Sequence, residues 1–425
     1  MSFTSEPSRW GDVYVAAAAR GITVCGDFLA ATALALALQQ AGAGGLVVSG
    51  LMLAAIAPIA LLAPVAGRIA DRVDSRTVLI VAGVAQAAVC TVLAFVGTPI
   101  LIIALVALLS CGLAVTQPTL AALLPAMVRR EDVGRAGGIN QTAFSLGVLI
   151  APALAGVLVG RFGVRVPLLI DAASYLSLVA AGLFLRTRRG KAAPRTAGAR
   201  WRLRDDRLVA VMTLAVAATV AGVGAINVIE VFFIRETLHA STTTFGLISG
   251  SWAAGVVVGS LVFGRLTKRG DVRMALVLMG GCCLAVVAAA GVPNAWLMVP
   301  LWLVGGAFNG GLNVCTAVVV AERIPEAVRG RAWATISSAT QTGGMIGFVV
   351  GGPLLELFAP RPLVAAAGLA GLAAVIACVV PVRRAEAMSA RRAGAASVGR
   401  AEREIPRLRP MEQGVSQPAG DSVGS

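Results

Sequence analysis

Long apolar runs, separated by short charged breaks or breaks marked by glycine and proline, repeat along almost the whole chain. Runs such as residues 78–96 are apolar on both faces. Strands of a transmembrane barrel would instead alternate apolar and polar positions in segments of about ten residues. Most of the runs reach the roughly 20 residues that a membrane-spanning helix needs. The pattern therefore predicts an all-α polytopic membrane protein.

Twelve transmembrane helices are predicted, in two pseudo-symmetric six-helix bundles. The N-terminal bundle (13–185) contains helices at 13–39, 45–67, 76–96, 99–123, 138–160 and 164–185. The C-terminal bundle (208–381) contains helices at 208–234, 243–265, 273–292, 295–320, 332–357 and 361–381. An N-terminal segment (1–12), a basic linker (186–207) and a tail (382–425) complete the division. The tail has few large apolar residues to bury, so we expect it to be disordered.

Internal repeats indicate that the two bundles are related. The charged segment at 67–76, predicted to be a short turn between two helices, recurs 197 positions later at 264–273 with its glycine and flanking arginines in register. Gln141, Thr142 and Gly147 recur 200 positions later as Gln341, Thr342 and Gly347. Halves related by an axis along the membrane normal occur in transporters that bind their substrate between the halves, near the bilayer midplane.

Composition agrees with a protein in lipid: 57% of the 425 residues are hydrophobic and 13% are charged, with a mean hydropathy of +0.85. The net charge of +15 at first suggests nucleic acid as a partner. However, only four of the 36 lysines and arginines fall in one alternate set of loops, namely Arg161, Arg165, Arg235 and Arg361. The positive-inside rule then places both termini and the linker in the cytoplasm and leaves no nucleic-acid partner. The linker arginines either set this topology or also bind anionic lipid headgroups.

Two motifs resemble those of the major facilitator superfamily. Residues 67–76 resemble its loop 2–3 signature, Gly-x-x-x-Asp-Arg-x-Gly-Arg-Arg, with Asp74 and Ser75 as departures. Residues 147–156 resemble its fifth-helix antiporter signature, in which Gly147, Pro152 and Gly156 are kept and alanine stands at two glycine positions. Three further segments resemble the branch of macrolide, multidrug and enterobactin exporters: Gly26-Asp27, Gln117-Pro118 and Asp171-Ala172-Ala173-Ser174-Tyr175.

The resemblance implies a bacterial inner-membrane efflux transporter that exports amphipathic small molecules, either drugs or natural products, by proton antiport and alternating access. We expect it to work as a monomer in the bilayer. A lysophospholipid or solute carrier of the same fold, and a membrane sensor without transport, stay as alternatives. The chain has no phosphate-binding loop, Cys-x-x-Cys pair, His-Glu-x-x-His motif or serine-nucleophile elbow. We therefore expect no enzyme activity, cofactor or metal.

Two carboxyl residues are candidates for proton coupling. Asp27 lies about midway along the first predicted helix, where a carboxylate costs about 2.5–3.5 kcal/mol on insertion scales. It either exchanges a proton during transport or is a structural aspartate bonded to its neighbours. Glu230, in the seventh predicted helix, either takes a proton or a cationic substrate group, or pairs with Arg235 at the membrane edge. For Asp171 we favour a structural role.

Candidate substrate contacts follow from the resembled fold, in which helices 1, 4, 7 and 10 line a central cavity. They are Phe28, Gln117, Asn227, Phe308, Asn309 and Asn313. A conformational gate is predicted at Gly67, Asp71, Arg72 and Arg76. Gly67 would permit a tight turn and a close helix approach. Asp71 would contact the N-terminal end of the eleventh helix near Arg331 and hold the cytoplasmic side shut when the cavity opens outward.

Overall fold

The computed structural model of the chain describes residues 7–187, 203, 206–267, 271–324 and 326–404, and its regular structure there is entirely helical. The N-terminal half consists of α1 (Trp10–Gln40), α2 (Gly45–Arg72), α3 (Ser75–Leu93), α4 (Pro99–Met127), α5 (Val133–Phe162) and α6 (Arg165–Phe184). The C-terminal half consists of α7 (Arg207–Gly224), α8 (Ile226–Phe232), α9 (Thr242–Leu266), α10 (Val272–Ala290), α11 (Met298–Arg323), α12 (Glu326–Leu357) and α13 (Pro360–Glu404).

Eleven helical stretches among the described residues are long and apolar enough to cross a membrane, with α7 and α8 forming one of them. The 32-residue α12, eleventh in chain order when α7 and α8 count as one, brings the long helices among the described residues to twelve. This confirms the predicted fold class of an all-α polytopic membrane protein.

The two halves repeat the same packing. In the N-terminal half α1 packs on α5, α2 on α4 and α3 on α6; in the C-terminal half α7 packs on α12, α9 on α11 and α10 on α13. Small residues permit the closest of these crossings. A Cβ placed on Gly259 would lie 2.0 Å from the carbonyl oxygen of Ala307, so the backbones of α9 and α11 nearly touch.

The halves meet at one end of the molecule. One face contains the start of α1, the α2–α3 and α4–α5 connections and the end of α6, and we call it the arginine-rich face. The two halves are in contact near the opposite face, where α5 packs on α9 and α2 on α12. There, Ser49 of α2 donates a hydrogen bond to the carbonyl oxygen of Phe348 in α12, at 2.7 Å. A Cβ on Gly156 of α5 would lie 2.9 Å from the Cα of Gly246 in α9.

The segment at 67–76 is not the predicted turn. Helix α2 continues to Arg72, and only Val73 and Asp74 separate it from α3. A Cβ on Gly67 would meet nothing within 4 Å. Gly67 therefore lies inside a helix and not in the predicted turn, and its role in a close helix approach stays a prediction.

The last helix extends beyond its predicted end at residue 381. Helix α13 continues to Glu404, so the prediction of disorder from residue 382 is wrong for the stretch up to this residue. Alanine, arginine and glutamate are frequent here and are strong helix formers. The composition argument concerned burial in a core, which a helix of such residues does not need. Residues 405–425 and most of the linker lie outside the described residues.

Candidate functional site

The first of two cavities lies in the N-terminal half. It has a volume of about 310 Å³ and is lined mainly by α1, α2 and α4, with α6 contributing two residues. Most of its lining is apolar. Its polar side chains are those of Asp27, Ser110, Gln117, Asp171 and Tyr175. The predicted residues Asp27 and Gln117 thus share one cavity, although they come from different helices.

A tyrosine holds the Asp27 carboxyl group. The hydroxyl of Tyr175, which is only 1% exposed, donates to Oδ1 of Asp27 at 2.6 Å. Asp171, one helical turn before Tyr175 on α6, is also 1% exposed. Its Oδ1 accepts a hydrogen bond from Ser174 at 3.2 Å and its Oδ2 accepts one from the thiol of Cys90 at 3.3 Å. These bonds agree with a structural role for Asp171, which stays a prediction.

The backbone of α1 lies directly against this network. A Cβ on Gly26 would come within 2.3 Å of Oδ1 of Asp171 and 2.4 Å of Oγ of Ser174. Because such distances are too short for real contacts, a larger residue at position 26 would push α1 away from α6. The glycine before Asp27 thus brings its carboxyl group within reach of α6.

Gly26→Ala should destabilise the protein by about 1–3 kcal/mol, since an added methyl group overpacks the contact between α1 and α6. Gly11→Ala is the matched control on the same helix, because a Cβ there would meet nothing within 4 Å. Thermal unfolding of both variants in detergent, followed by circular dichroism, measures the difference. Equal midpoints for the two variants would mean that the α6 side chains move aside freely.

The second cavity lies mainly in the C-terminal half and has a volume of about 410 Å³. Glu230 of α8 is its carboxyl residue. Oε1 of Glu230 accepts hydrogen bonds from the hydroxyl of Ser249 at 3.2 Å and from Nε1 of Trp302 at 3.1 Å. The Trp302 ring packs edge to face on Trp252, with centroids 5.8 Å apart. The predicted alternative of a Glu230–Arg235 pair is wrong, because Arg235 donates to the backbone carbonyl of Ala240.

Three other predicted residues reach this second cavity: Phe28, Asn227 and Asn309. Asn227 donates from Nδ2 to the carbonyl oxygen of Gly224 at 3.1 Å, at the point where α7 ends. The predicted single helix over 208–234 is interrupted here, at Ala225 between α7 and α8. Among the described residues that line the two cavities there is no lysine, arginine or histidine.

Two predicted substrate contacts lie elsewhere. The ring of Phe308 packs over Gly281, so close that a Cβ on this glycine would be 2.8 Å from Cδ2 of the ring. Asn313 is exposed and is not part of either lining. Neither residue lines either cavity in this structure, and their role as substrate contacts stays a prediction.

The antiporter-like segment of α5 touches both α1 and α9. A Cβ on Gly147 would lie 2.7 Å from the carbonyl oxygen of Gly21 in α1. A Cβ on Gly156 would lie 2.6 Å from the carbonyl oxygen of Thr242 in α9. Between them, Pro152 lines the second cavity. The segment thus connects the packing of one half with the contact to the other.

Only some side chains of the predicted gate lie within the part of the chain that the structure describes. Arg72 is exposed in the last turn of α2, and Arg76 is partly buried in the first turn of α3. The side chains of Asp71 and Arg331 lie outside the described residues. Their contact stays a prediction.

Sequence reasoning missed the side chains that hold the two carboxyl groups. Tyr175 belongs to the exporter-like segment of α6, so that motif contained a signal that was not used. Ser249 and Trp302 are single polar groups in apolar runs. A buried tryptophan N–H needs an acceptor, which is the only hint that Trp302 carries, and the sequence does not say where that acceptor is.

Known proteins support the same architecture. A family model described as transmembrane secretion effector matches residues 13–398. The multidrug resistance protein MdtG of Proteus mirabilis is 25% identical over 302 residues, 69% of this chain and 75% of that protein. The enterobactin exporter EntS of Citrobacter koseri is 27% identical over 276 residues, 60% of this chain and 62% of that protein.

Among solved structures, a bacterial homologue of the human lysosomal transporter Spinster, in an inward-facing and occupied conformation, has the same fold. It superposes with a TM-score of 0.68 at 14% identity, covering 90% of this chain and 96% of the other. The chain therefore belongs to the transmembrane secretion effector family of the major facilitator superfamily and is a membrane transporter, not an enzyme.

Proposed function

We propose that this transporter exports amphipathic small molecules that carry a positive charge, by proton antiport and alternating access across the bacterial inner membrane. Both termini face the cytoplasm in this proposal, in keeping with the positive-inside rule. Cationic drugs and natural products are the corresponding substrate classes.

One observation carries the substrate class: Glu230 faces a largely apolar cavity that has no basic side chain in its described lining. Ser249 and Trp302 both bond to the same oxygen, Oε1, and the described residues offer no hydrogen bond to Oε2. A carboxylate in apolar surroundings needs a counter-charge. A substrate cation would supply it, and the rings of Trp252 and Trp302 favour cations over their faces.

Asp27 serves in this proposal as the proton-coupling group. Its carboxyl group lines the other cavity and accepts a hydrogen bond from the neutral hydroxyl of Tyr175. The described lining has no basic side chain that would hold this carboxyl group in its ionised form. The group can therefore change its charge by gaining and losing a proton. That is the property required of an antiporter carboxyl group.

Contact between the halves near the opposite face supports alternating access. The Ser49–Phe348 bond and the Gly156–Gly246 approach close that end, while a Cβ on Gly67 near the arginine-rich face would meet nothing within 4 Å. This arrangement fits a state open towards the arginine-rich face. Export would require the two contacts to separate in the opposite state.

Glu230→Gln tests the substrate class. We expect the affinity for tetraphenylphosphonium, a lipophilic cation, to fall by roughly tenfold to a hundredfold, as loss of a charge-assisted contact of about 1.5–3 kcal/mol predicts. Binding of a neutral analogue of similar size should be unchanged. Glu131→Gln is the control, because Glu131 is 75% exposed and only pairs with Arg129 at 3.9 Å. Equal losses for both probes would show that Glu230 only supports packing.

Direction is tested separately in inverted membrane vesicles. An exporter accumulates tetraphenylphosphonium inside such vesicles when a pH gradient is imposed, whereas a carrier working inward would deplete it. A sensor without transport would bind the probe and move none.

A further inference from the structure

Phe28 is the one residue common to the described linings of both cavities. It follows Asp27 directly on α1 and is 41% exposed, an unusual exposure for a large aromatic side chain in the interior of a helical bundle. Other lining residues belong to one cavity each: Val148 to the second, and Met52 to the first. Phe28 therefore stands where the space for a substrate beside Glu230 adjoins the space around Asp27.

We infer that Phe28 transmits substrate binding in the second cavity to the protonation of Asp27 in the first. This inference rests on the proposed antiport function and assigns to Phe28 a positioning role, not that of a proton carrier. A ligand that fills the second cavity contacts the Phe28 ring. Because the rest of the interior is close-packed, the ring then moves towards the first cavity, which it also lines.

This movement changes the surroundings of the Asp27 carboxyl group. The ring belongs to the next residue of the same helix, so a shift in the ring alters the water and apolar contacts around the carboxyl group. Burial without water disfavours the ionised form, and access to water favours it. Occupancy of one cavity is thereby linked to the proton in the other without direct contact between substrate and Asp27.

The other groups around Asp27 are held by hydrogen bonds in which Phe28 takes no part. The titratable groups that face it or its partners are Tyr175 and Asp171 from α6, Cys90 from α3 and Cys25 from α1. The described lining from α2 and α4 carries no titratable side chain. Tyr175 and Asp171 are each 1% exposed and bonded to neighbours. Of these residues around Asp27, Phe28 is the one that a ligand in the second cavity would contact.

The test measures the affinity for tetraphenylphosphonium at several pH values in purified full-length protein. If binding expels a proton from Asp27, the affinity rises with pH. The ratio of the affinity at high pH to the affinity at low pH measures the coupling, which is of the order of 5–150-fold. Glu230 also contributes to this ratio, because it faces the same probe. Asp27→Asn removes the contribution of Asp27 and leaves that of Glu230, so it supplies the reference.

We expect Phe28→Ala to lower the ratio to the Asp27→Asn level, and the double variant to be no lower than either single one. Such non-additivity identifies a shared pathway. Phe28→Leu, which keeps most of the bulk, should restore part of the ratio. Ile22→Ala, on the same helix but outside both cavity linings, should leave it unchanged.

Two outcomes would overturn the inference in different ways. A ratio in Phe28→Ala equal to that of the wild type would remove the role of Phe28 and leave the antiport proposal intact. A wild-type ratio equal to that of Asp27→Asn would show that Asp27 is not linked to probe binding, which removes the antiport proposal as well. If Phe28→Ala fails to fold, the same comparison is made with Phe28→Leu, whose ratio must lie between those of the wild type and Asp27→Asn.

Discussion

Asp27→Asn is expected to abolish the accumulation of tetraphenylphosphonium driven by an imposed pH gradient, while exchange of the probe without a gradient continues. An amide cannot gain or lose a proton in the physiological range, so the variant retains the shape of the side chain and lacks the exchangeable charge. Tyr175 can still donate to the amide oxygen, which keeps the contact between α1 and α6. The protein should therefore fold, bind the probe and alternate between states without using the gradient.

Inverted vesicles that contain equal amounts of each variant measure both quantities. The matched control is Asp271→Asn, because Asp271 caps the start of α10 through a bond to the Arg273 N–H at 2.8 Å and asparagine caps helices equally well. Undiminished gradient-driven accumulation in a folded Asp27→Asn protein would refute proton coupling through this residue. Loss of exchange as well as accumulation would indicate a structural role instead.

Gly156→Val is expected to lower transport more than tenfold, because it prevents closure of the opposite face. A Cβ at this position would lie 2.6 Å from the Thr242 carbonyl oxygen and 2.9 Å from the Cα of Gly246. Both are backbone atoms, so α9 must move as a whole. Overpacking of about 1–3 kcal/mol against one conformational state shifts the equilibrium between states by roughly five- to 150-fold.

Spin labels at the opposite-face ends of α5 and α9 report the consequence. The population with a long label distance should increase in Gly156→Val, and the melting temperature should change little. Gly138→Val is the control on the same helix, since a Cβ there would meet nothing within 4 Å. If both variants transport alike, the close approach of the two glycines is dispensable.

Periodicity and hydropathy were sufficient to predict the fold, because lipid imposes strict demands on length and apolarity. Where the prediction was wrong, local packing or helix propensity determined the structure. Helix α2 runs to Arg72 because nothing in its last turns forbids a helix, although the charges suggested a turn. The interruption at Ala225 has no strong sequence signal, since the adjacent Gly224 is one glycine among 49.

The candidate site was predictable to the extent that single residues were out of place in lipid. Asp27 and Glu230 stood out because carboxyl groups are rare in apolar runs. Their partners could not be predicted: Tyr175 is distant from Asp27 along the chain, and Trp302 is distant from Glu230. Helical periodicity also could not separate Asn309 from Asn313, because residues four positions apart lie on the same side of a helix, yet the cavity ends between them.

The glycine crossing between α5 and α9 also constrains how the protein moves. Dispersion forces between backbones decline steeply once a gap of 0.5–1 Å opens. A partly opened crossing would therefore have lost much of its attraction without gaining the contacts of the other state. Attraction between charges, by contrast, would act over longer distances and stabilise intermediate positions, and salt would weaken it. The opening of this crossing should accordingly proceed in one abrupt step, at a rate that is nearly independent of ionic strength.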